Sequence, residues 1–310
     1  MRDVSFIVGP TATGKSEIAA DLARELDAEI VSADAFQIYR GLDLLAAKPD
    51  AATLAKATHH LIGTMSILDE MNAEKFRKAA LQAISEIHSR GKLAVVVGGS
   101  GLYVKALTHG LASAPSADPD LRAQLNEMSL GDLQKKLRGL DPQAAGKIDL
   151  KNRRRLVRAI EVCLLSGKPA SAQRMEWSAA EPVRAGLAFP TTGVFVFRER
   201  EDLYERINRR VEAMFENGVI EEVRAAGAMS ETASKMIGLR EIRDLLEGKM
   251  SILQCVAAIQ QATRRYAKRQ LTWFRRQTNF EPLNLSLLTH VEAVKWISQR
   301  ARYAVAQGND

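Results

Sequence analysis

The chain has 310 residues, 44 Lys and Arg against 37 Asp and Glu, a net charge of +7 and a pI near 9.4. With 46% hydrophobic and 26% charged residues it has an ordinary globular balance, which excludes wholesale disorder. Two cysteines, Cys163 and Cys255, are too few for a disulfide framework or a zinc site and point to a reducing, cytoplasmic setting. No apolar run reaches the roughly 20 residues that a membrane helix needs, so no membrane partner is expected, and the apolar stretch after Asp3 is too short for a secretory leader.

Taken in chain order, the apolar run Val4 to Val8 ends at Gly9-Pro10 and predicts a buried strand. Ile18, Ala19, Leu22, Ala23 and Leu26 recur at helical spacing, so 15–26 is a predicted helix. Residues 29–32 read as a second strand, 76–88 as a helix and 93–97 as a third strand. This alternation implies a parallel sheet with helices on both faces. Residues 111–119, with two prolines, read as a linker, 120–171 as short helices, and 176–193 as irregular because of Pro182, Gly186, Pro190 and Gly193. Val194 to Phe197 predicts a returning strand, and from Glu201 the pattern is helical almost to residue 276, with a last helix from about Val291. The expected organisation is an α/β core over 1–112, a helical insertion over 113–190, and over 191–310 the remainder of the core with a helical C-terminal part.

Gly9-Pro10-Thr11-Ala12-Thr13-Gly14-Lys15-Ser16 fits G-x-x-x-x-G-K-[ST] and stands where a strand gives way to a helix. Backbone N–H groups of such a loop close around phosphate oxygens, the lysine adds a point charge, and the serine hydroxyl is a ligand for Mg²⁺. A metal-dependent ATPase also needs an acid at the end of an apolar strand, yet 93–97 runs into Gly98-Gly99. The nearest acid at a strand end is Asp34, which should meet the cradle and Gly98 to Gly101 in one crevice, as a general base or a metal ligand.

Between Leu253 and Phe280 there is no acidic residue, while Arg264, Arg265, Lys268, Arg269, Arg275 and Arg276 all fall there. Like charges four apart destabilise a helix, so an anionic partner such as nucleic acid explains them better than a solvated face does. Tyr266, Trp273 and Phe274, interleaved with these charges, read as core rather than as stacking platforms. Lys151, Arg153, Arg154, Arg155 and Arg158 form a second basic cluster, and Arg206, Arg209 and Arg210 a third.

The residues that carry these features resemble one family, the bacterial tRNA dimethylallyltransferases, also called tRNA isopentenyltransferases. The similar stretches are GPTATGKS at 9–16, SADAFQIYR at 32–40, Ala47-Lys48-Pro49, His59 to Ile62, GKLAVVVGGSGLY at 91–103, RRRLVRAIE at 153–161, LYERINRR at 203–210, Ile237-Gly238 and QATRRYAKRQLTWFR at 261–275. The resemblance implies a P-loop NTPase-like core, a tRNA-binding role for the 113–190 insertion, and transfer of a dimethylallyl group from dimethylallyl diphosphate to N6 of the adenosine 3′ of the anticodon (position 37), with diphosphate released. It implies catalytic roles for Asp34 as base, Thr11 at the bridging oxygen and Lys15 on the departing diphosphate, with Arg206 and Arg210 as diphosphate clamps and Mg²⁺ on Ser16. The implied contacts with the tRNA anticodon stem-loop are Asp34, Ala35, Phe36, Gln37, Ser100, Arg154, Arg155, Arg158, Lys235, Gly238, Arg240, Arg264, Arg265, Lys268, Arg269, Gln270, Thr272, Trp273 and Arg275. The sequence departs from the usual pattern at Ala35-Phe36, Leu45-Ala46, Gly63, Ser100 and Leu239-Arg240. A monomer is expected. The competing expectation is a small-molecule or nucleotide kinase on the same P-loop core, and a third is a tRNA-binding relative with a dead site.

Overall fold

The structure, a computed structural model, describes residues 4–111, 115–116, 118–172, 191–277 and 279–307. Its chain divides into two compact units, one of Met1–Thr108 with Leu187–Asp310, the other His109–Gly186, against an expected insertion of 113–190.

The larger unit is built on a six-stranded sheet of order β3-β2-β4-β1-β5-β6, where β1 is Val4–Val8, β2 Glu29–Ser32, β3 His59–His60, β4 Ala94–Gly98, β5 Thr191–Phe197 and β6 Glu281–Asn284. Every pairing is parallel. Alternate residues divide between two faces, as the two-residue period of a strand requires. Val4, Phe6, Val8, Val96 and Phe195 enter one cluster with Phe76, Ile84, Val104 and Phe274. Ile7, Ile30, Val95, Val194 and Val196 enter the other with Ile18, Leu22, Val294 and Ile297. Helices α3 (Ala73–Ser89), α4 (Gly101–His109) and α12 (Ile252–Phe274) therefore supply one face, and α1 (Lys15–Leu26) and α13 (His290–Gln307) the other, while the one-turn α2 (Ala51–Leu54) lies between β2 and β3 in the chain.

Three expected features are corrected, and two strands were not expected. The strand read as 194–197 begins at Thr191, so 191–193 are not irregular, while 176–190 lie outside the described residues. Pro119 opens a helix, α5 (Pro119–Glu127), because Asp118 accepts a hydrogen bond from the Leu121 amide at 2.9 Å and proline suits the first helical turn. The helix read from Phe76 starts at Ala73, capped by the Asn72 side chain. β3 and β6 gave no apolar period, being edge strands of two and four residues; an edge also tolerates Pro282.

A helical annex of the larger unit comprises α9 (Arg200–Glu216), α10 (Val219–Ala225), α11 (Leu239–Leu246) and the first half of α12, which share Val211, Val223, Ile242 and Ile259 in one core. In the smaller unit, α6 (Leu130–Leu140), α7 (Pro142–Lys147) and α8 (Arg153–Ser166) pack with α5 around Leu125, Leu133, Leu137, Leu156 and Ile160. Glu161 is fully buried there and is held by Arg122 through bonds of 2.7 and 2.6 Å and by Arg158 at 3.4 Å.

Candidate active site

Because all strands run one way, β1, β2, β4 and β5 deliver their C-terminal ends to one edge, where ligands of open α/β sheets bind. The loop after β1 places Gly14 in the left-handed region, φ +91°, at the N-terminus of α1. Thr13 is buried and its hydroxyl donates to the Pro10 carbonyl at 3.0 Å. The Lys15 ammonium donates to the same carbonyl at 3.2 Å. Burial lowers the Lys15 pKa to about 8, and the Asp34 carboxylate only partly offsets it. Arg210, also enclosed, is lowered to about 10 by burial, and its buried Nε has no hydrogen-bond partner among the described residues. Two desolvated cations beside one another are an anion site: a bound diphosphate relieves both the burial penalty and their repulsion.

Two further guanidinium groups brace the loop. Arg206 Nε donates to the Ala12 carbonyl at 2.9 Å and Arg198 Nε to the Thr13 carbonyl at 2.8 Å. Their outer nitrogens flank Gly14, where a Cβ would stand 3.4 Å from Arg206 Nη2 and 3.8 Å from Arg198 Nη2. Arg198 is held in turn by Asp202 at 2.9 Å. Sequence reasoning missed Arg198, although its signal was present: it is the first residue beyond β5, as Gly9 and Ala33 are beyond β1 and β2.

Asp34, Lys15, Ser16, Ser32, Gln37 and Gly98 line one pocket together with the apolar Ala19, Ile30, Ile62 and Val97. The convergence expected of Asp34, the cradle and the 98–101 loop is therefore met. Asp34 Oδ1 accepts from the amides of Phe36 at 2.9 Å and Gln37 at 3.4 Å, which fixes the carboxylate and leaves Oδ2 toward other partners. Gln37 is likewise set by its bond to the Ala47 carbonyl at 2.9 Å, and the Ser100 hydroxyl accepts from the Ala35 amide at 3.0 Å. Leu45, one of the departures from the family pattern, is buried, and Glu222 of α10 accepts from the Leu44 and Leu45 amides, both at 2.9 Å. Among the described residues no group of three His, Cys, Asp or Glu could hold a metal. Ser16 and Asp34 offer side-chain oxygens in this pocket, few enough that Mg²⁺ there would be held mostly by phosphate oxygens.

Helix α12 closes the other side. Its buried residues Cys255, Ile259, Thr263, Ala267, Gln270 and Phe274 recur every three or four positions, so the charges between them face outward. Arg265, Lys268, Arg269, Thr272 and Arg275 are exposed. Arg264 is instead turned to α9, where it bonds Asn208 Oδ1 at 3.2 Å and lies over the Tyr204 ring at 5.4 Å. Phe274 is core, as expected of the aromatics. Trp273 and Tyr266 are only partly buried, and both sit on the 98–101 loop. A Cβ at Gly101 would stand 2.6 Å from the Trp273 indole, and the Tyr266 hydroxyl bonds Ser100. Burial and the nearby Asp34 charge raise the Tyr266 phenol.

Other residues named from the resemblance fall in varied settings. Arg240 is exposed and paired with Glu241 at 3.1 Å, and Lys235 is exposed and paired with Glu231. Gly238 is buried at φ +96°, where a Cβ would stand 2.8 Å from Leu45 Cδ1, a backbone reason for glycine. In the smaller unit Arg154 and Arg155 are exposed, while Arg158 is committed to Glu161 and to the Pro115 carbonyl at 2.8 Å. Gln270, expected at the RNA surface, is 5% exposed and bonded inside the protein.

A parallel sheet with a phosphate cradle at its C-terminal edge defines a P-loop protein of the α/β class. The sequence model of one such family, described as IPP transferase, matches residues 37–277, and the chain belongs to that family. The tRNA dimethylallyltransferase 1 of Citrifermentans bemidjiense is 43% identical over 280 residues, covering 89% of this chain and 90% of that protein. The tRNA dimethylallyltransferase 1 of Pelobacter propionicus is 46% identical over 279 residues, covering 87% and 89%. Among solved structures, the full-length tRNA isopentenylpyrophosphate transferase of Bacillus halodurans aligns with a TM-score of 0.72 at 32% identity, over 99% of this chain and 98% of that one. A eukaryotic dimethylallyltransferase crystallised while acting on tRNA shares the fold, with a TM-score of 0.78 at 23% identity over 100% of this chain and 79% of that one.

Proposed function

We propose that this chain is a tRNA dimethylallyltransferase that moves a dimethylallyl group from dimethylallyl diphosphate to N6 of adenosine 37, releasing diphosphate. The observation that carries the reading is the fixed Asp34 carboxylate in one pocket with Lys15 and Ser16, in a chain 43% identical to a relative of that name. In this reading the diphosphate lies against the cradle amides, Lys15, Arg206 and Arg210, and Arg198 joins them. The adenine is flipped out of the anticodon loop, because its exocyclic amine is out of reach in a stacked strand. N6 attacks the allylic carbon, the C–O bond to diphosphate breaks, and the N6 proton passes to Asp34 Oδ2. Thr11 meets the bridging oxygen, and the charge that develops on the leaving group is met by the preorganised cations. Mg²⁺, held by Ser16 and the phosphate oxygens, would neutralise part of that charge.

This chemistry uses a P-loop without hydrolysing ATP, which accounts for the acid-free end of β4. A kinase has no use for the exposed basic face of α12. No described helix is long and apolar enough to cross a membrane. The free, buried Cys163 and Cys255 fit a reducing cytoplasm, and a single chain holds every residue named here. The test is to incubate the protein with unmodified tRNA and radiolabelled dimethylallyl diphosphate. Label in the RNA at adenosine 37 is the expected result, and ATP turnover on a small acceptor without RNA labelling would overturn it.

The exposed face of α12 gives a second expected outcome. Arg265→Ala with Arg269→Ala removes two outward charges and leaves Phe274 packed. If both meet phosphates, the slope of log affinity against log salt for tRNA falls by about two units or slightly less. Parallel salt lines for wild type and variant would reduce these arginines to solvated surface. Affinity for dimethylallyl diphosphate should not change.

A further inference from the structure

Gln270 lies in the acid-free basic stretch of α12, between Arg269 and Arg275, yet it is buried and bonds the loops after β1 and β4 with the two ends of its amide. Its Oε1 accepts from the Thr11 N–H at 2.9 Å, and its Nε2 donates to the Gly99 carbonyl at 2.8 Å. The fit is close on both sides: a Cβ at Gly99 would stand 2.3 Å from Gln270 Nε2 and 2.8 Å from the Gly9 carbonyl oxygen. One side chain therefore joins the loop after β1 to the loop after β4, 259 and 171 positions away in sequence. Because the Thr11 amide is turned to Gln270, Thr11 has only its hydroxyl to give to an anion.

We propose that Gln270 is a positioning residue of the cradle: it fixes the Thr11 backbone so that the Thr11 hydroxyl stands at the diphosphate, and it does not itself contact tRNA. This deepens the proposed reaction and rests on that reading only for the transfer step; the role in diphosphate binding rests on the cradle alone. The physical warrant is the cost of the alternative. Without its acceptor, the Thr11 N–H is left partly buried and unsatisfied, and the loop re-forms around that group with its hydroxyl displaced. A misplacement of about 1 Å in a positioned group costs on the order of 100-fold in rate.

Gln270→Met keeps the length of the side chain and removes both hydrogen bonds. Two quantities are measured on the full chain for wild type, Gln270→Met, Thr11→Ala and the double variant: the dissociation constant of inorganic pyrophosphate by calorimetric titration, and kcat with KM for each substrate in dimethylallyl transfer. Gln270→Met is expected to weaken pyrophosphate by roughly 10-fold and to lower kcat by roughly 10- to 100-fold, with KM for tRNA within about 2-fold of wild type. The double variant is expected to be no worse than the poorer single variant, because a residue that acts through Thr11 has nothing left to position once the hydroxyl is gone. Losses that multiply in the double variant would overturn the proposal. So would a variant with wild-type kcat and pyrophosphate affinity but a lower melting temperature, which would make Gln270 a brace only, or one whose sole change is a raised KM for tRNA. If Gln270→Met does not fold, Gln270→Asn, one methylene too short to span both loops, takes its place in the same cycle. A wild-type protein that binds pyrophosphate but labels no tRNA would overturn the reaction and leave the pyrophosphate cycle to decide on Gln270.

Discussion

Asp34→Asn is expected to slow dimethylallyl transfer by roughly a factor of 10² to 10⁴, the range for losing a positioned general base. The substitution keeps the shape of the side chain, and its amide oxygen still accepts from the Phe36 and Gln37 amides, now 2.9 and 3.4 Å from Oδ1. The loop therefore stays as built, and only the capacity to take the N6 proton is removed. Affinity for tRNA and for dimethylallyl diphosphate should remain near wild type. Single-turnover kinetics with both substrates saturating separates the chemical step from binding. A rate constant within a few-fold of wild type would reduce Asp34 to a cap for the 34–37 turn.

Lys15→Ala is expected to cost roughly 10² to 10³ in kcat/KM, because the lost charge faces the oxygens on which negative charge grows as the bond breaks. It should also change a pH dependence. In the free protein Lys15 titrates at about 8, so above that pH the cradle loses a positive charge before the anion arrives. Affinity of the wild type for pyrophosphate should fall as pH rises through 8, and Lys15→Ala should lack that component of the pH dependence. The sign for folding is opposite. Between about 8 and the ordinary 10.5 the unfolded chain binds more protons at this site than the folded one, so stability rises with pH across that window. Calorimetric titration of pyrophosphate at three pH values checks the first statement. A wild-type affinity flat from pH 7 to 10 would remove Lys15 from the anion site.

Much of this was written locally. The motif at 9–16, the apolar runs of β1 and β4 and the helical spacing of α1 and α3 each depend on a few neighbouring residues, and the structure returns all of them near their expected bounds. Asp34 was legible because a parallel sheet sends every strand end to one edge, so a polar residue just past a strand is near the cradle wherever it lies in the chain. The same rule points to Arg198, the first residue past β5. The edges of the sheet were not legible: two residues of β3 and four of β6 carry too little period, and pairing with β2 and β5 makes them strands.

The sequence by itself determined the class of fold, the phosphate cradle, the likeness to a family and the existence of a basic helix at the far end of the chain. Only the tertiary structure decided what the members of that helix do. Arg264, Arg265 and Gln270 lie within two turns of the same helix, and the family resemblance implies RNA contact for all three. Packing of α12 turns Arg264 onto Asn208 and Tyr204, leaves Arg265 exposed, and drives Gln270 against Thr11 and Gly99. The physical reason is that a helix has one buried stripe, and which side chains fall in it depends on the surface it meets. Here that surface is formed by two loops more than 150 residues distant in the chain, and no local pattern records them.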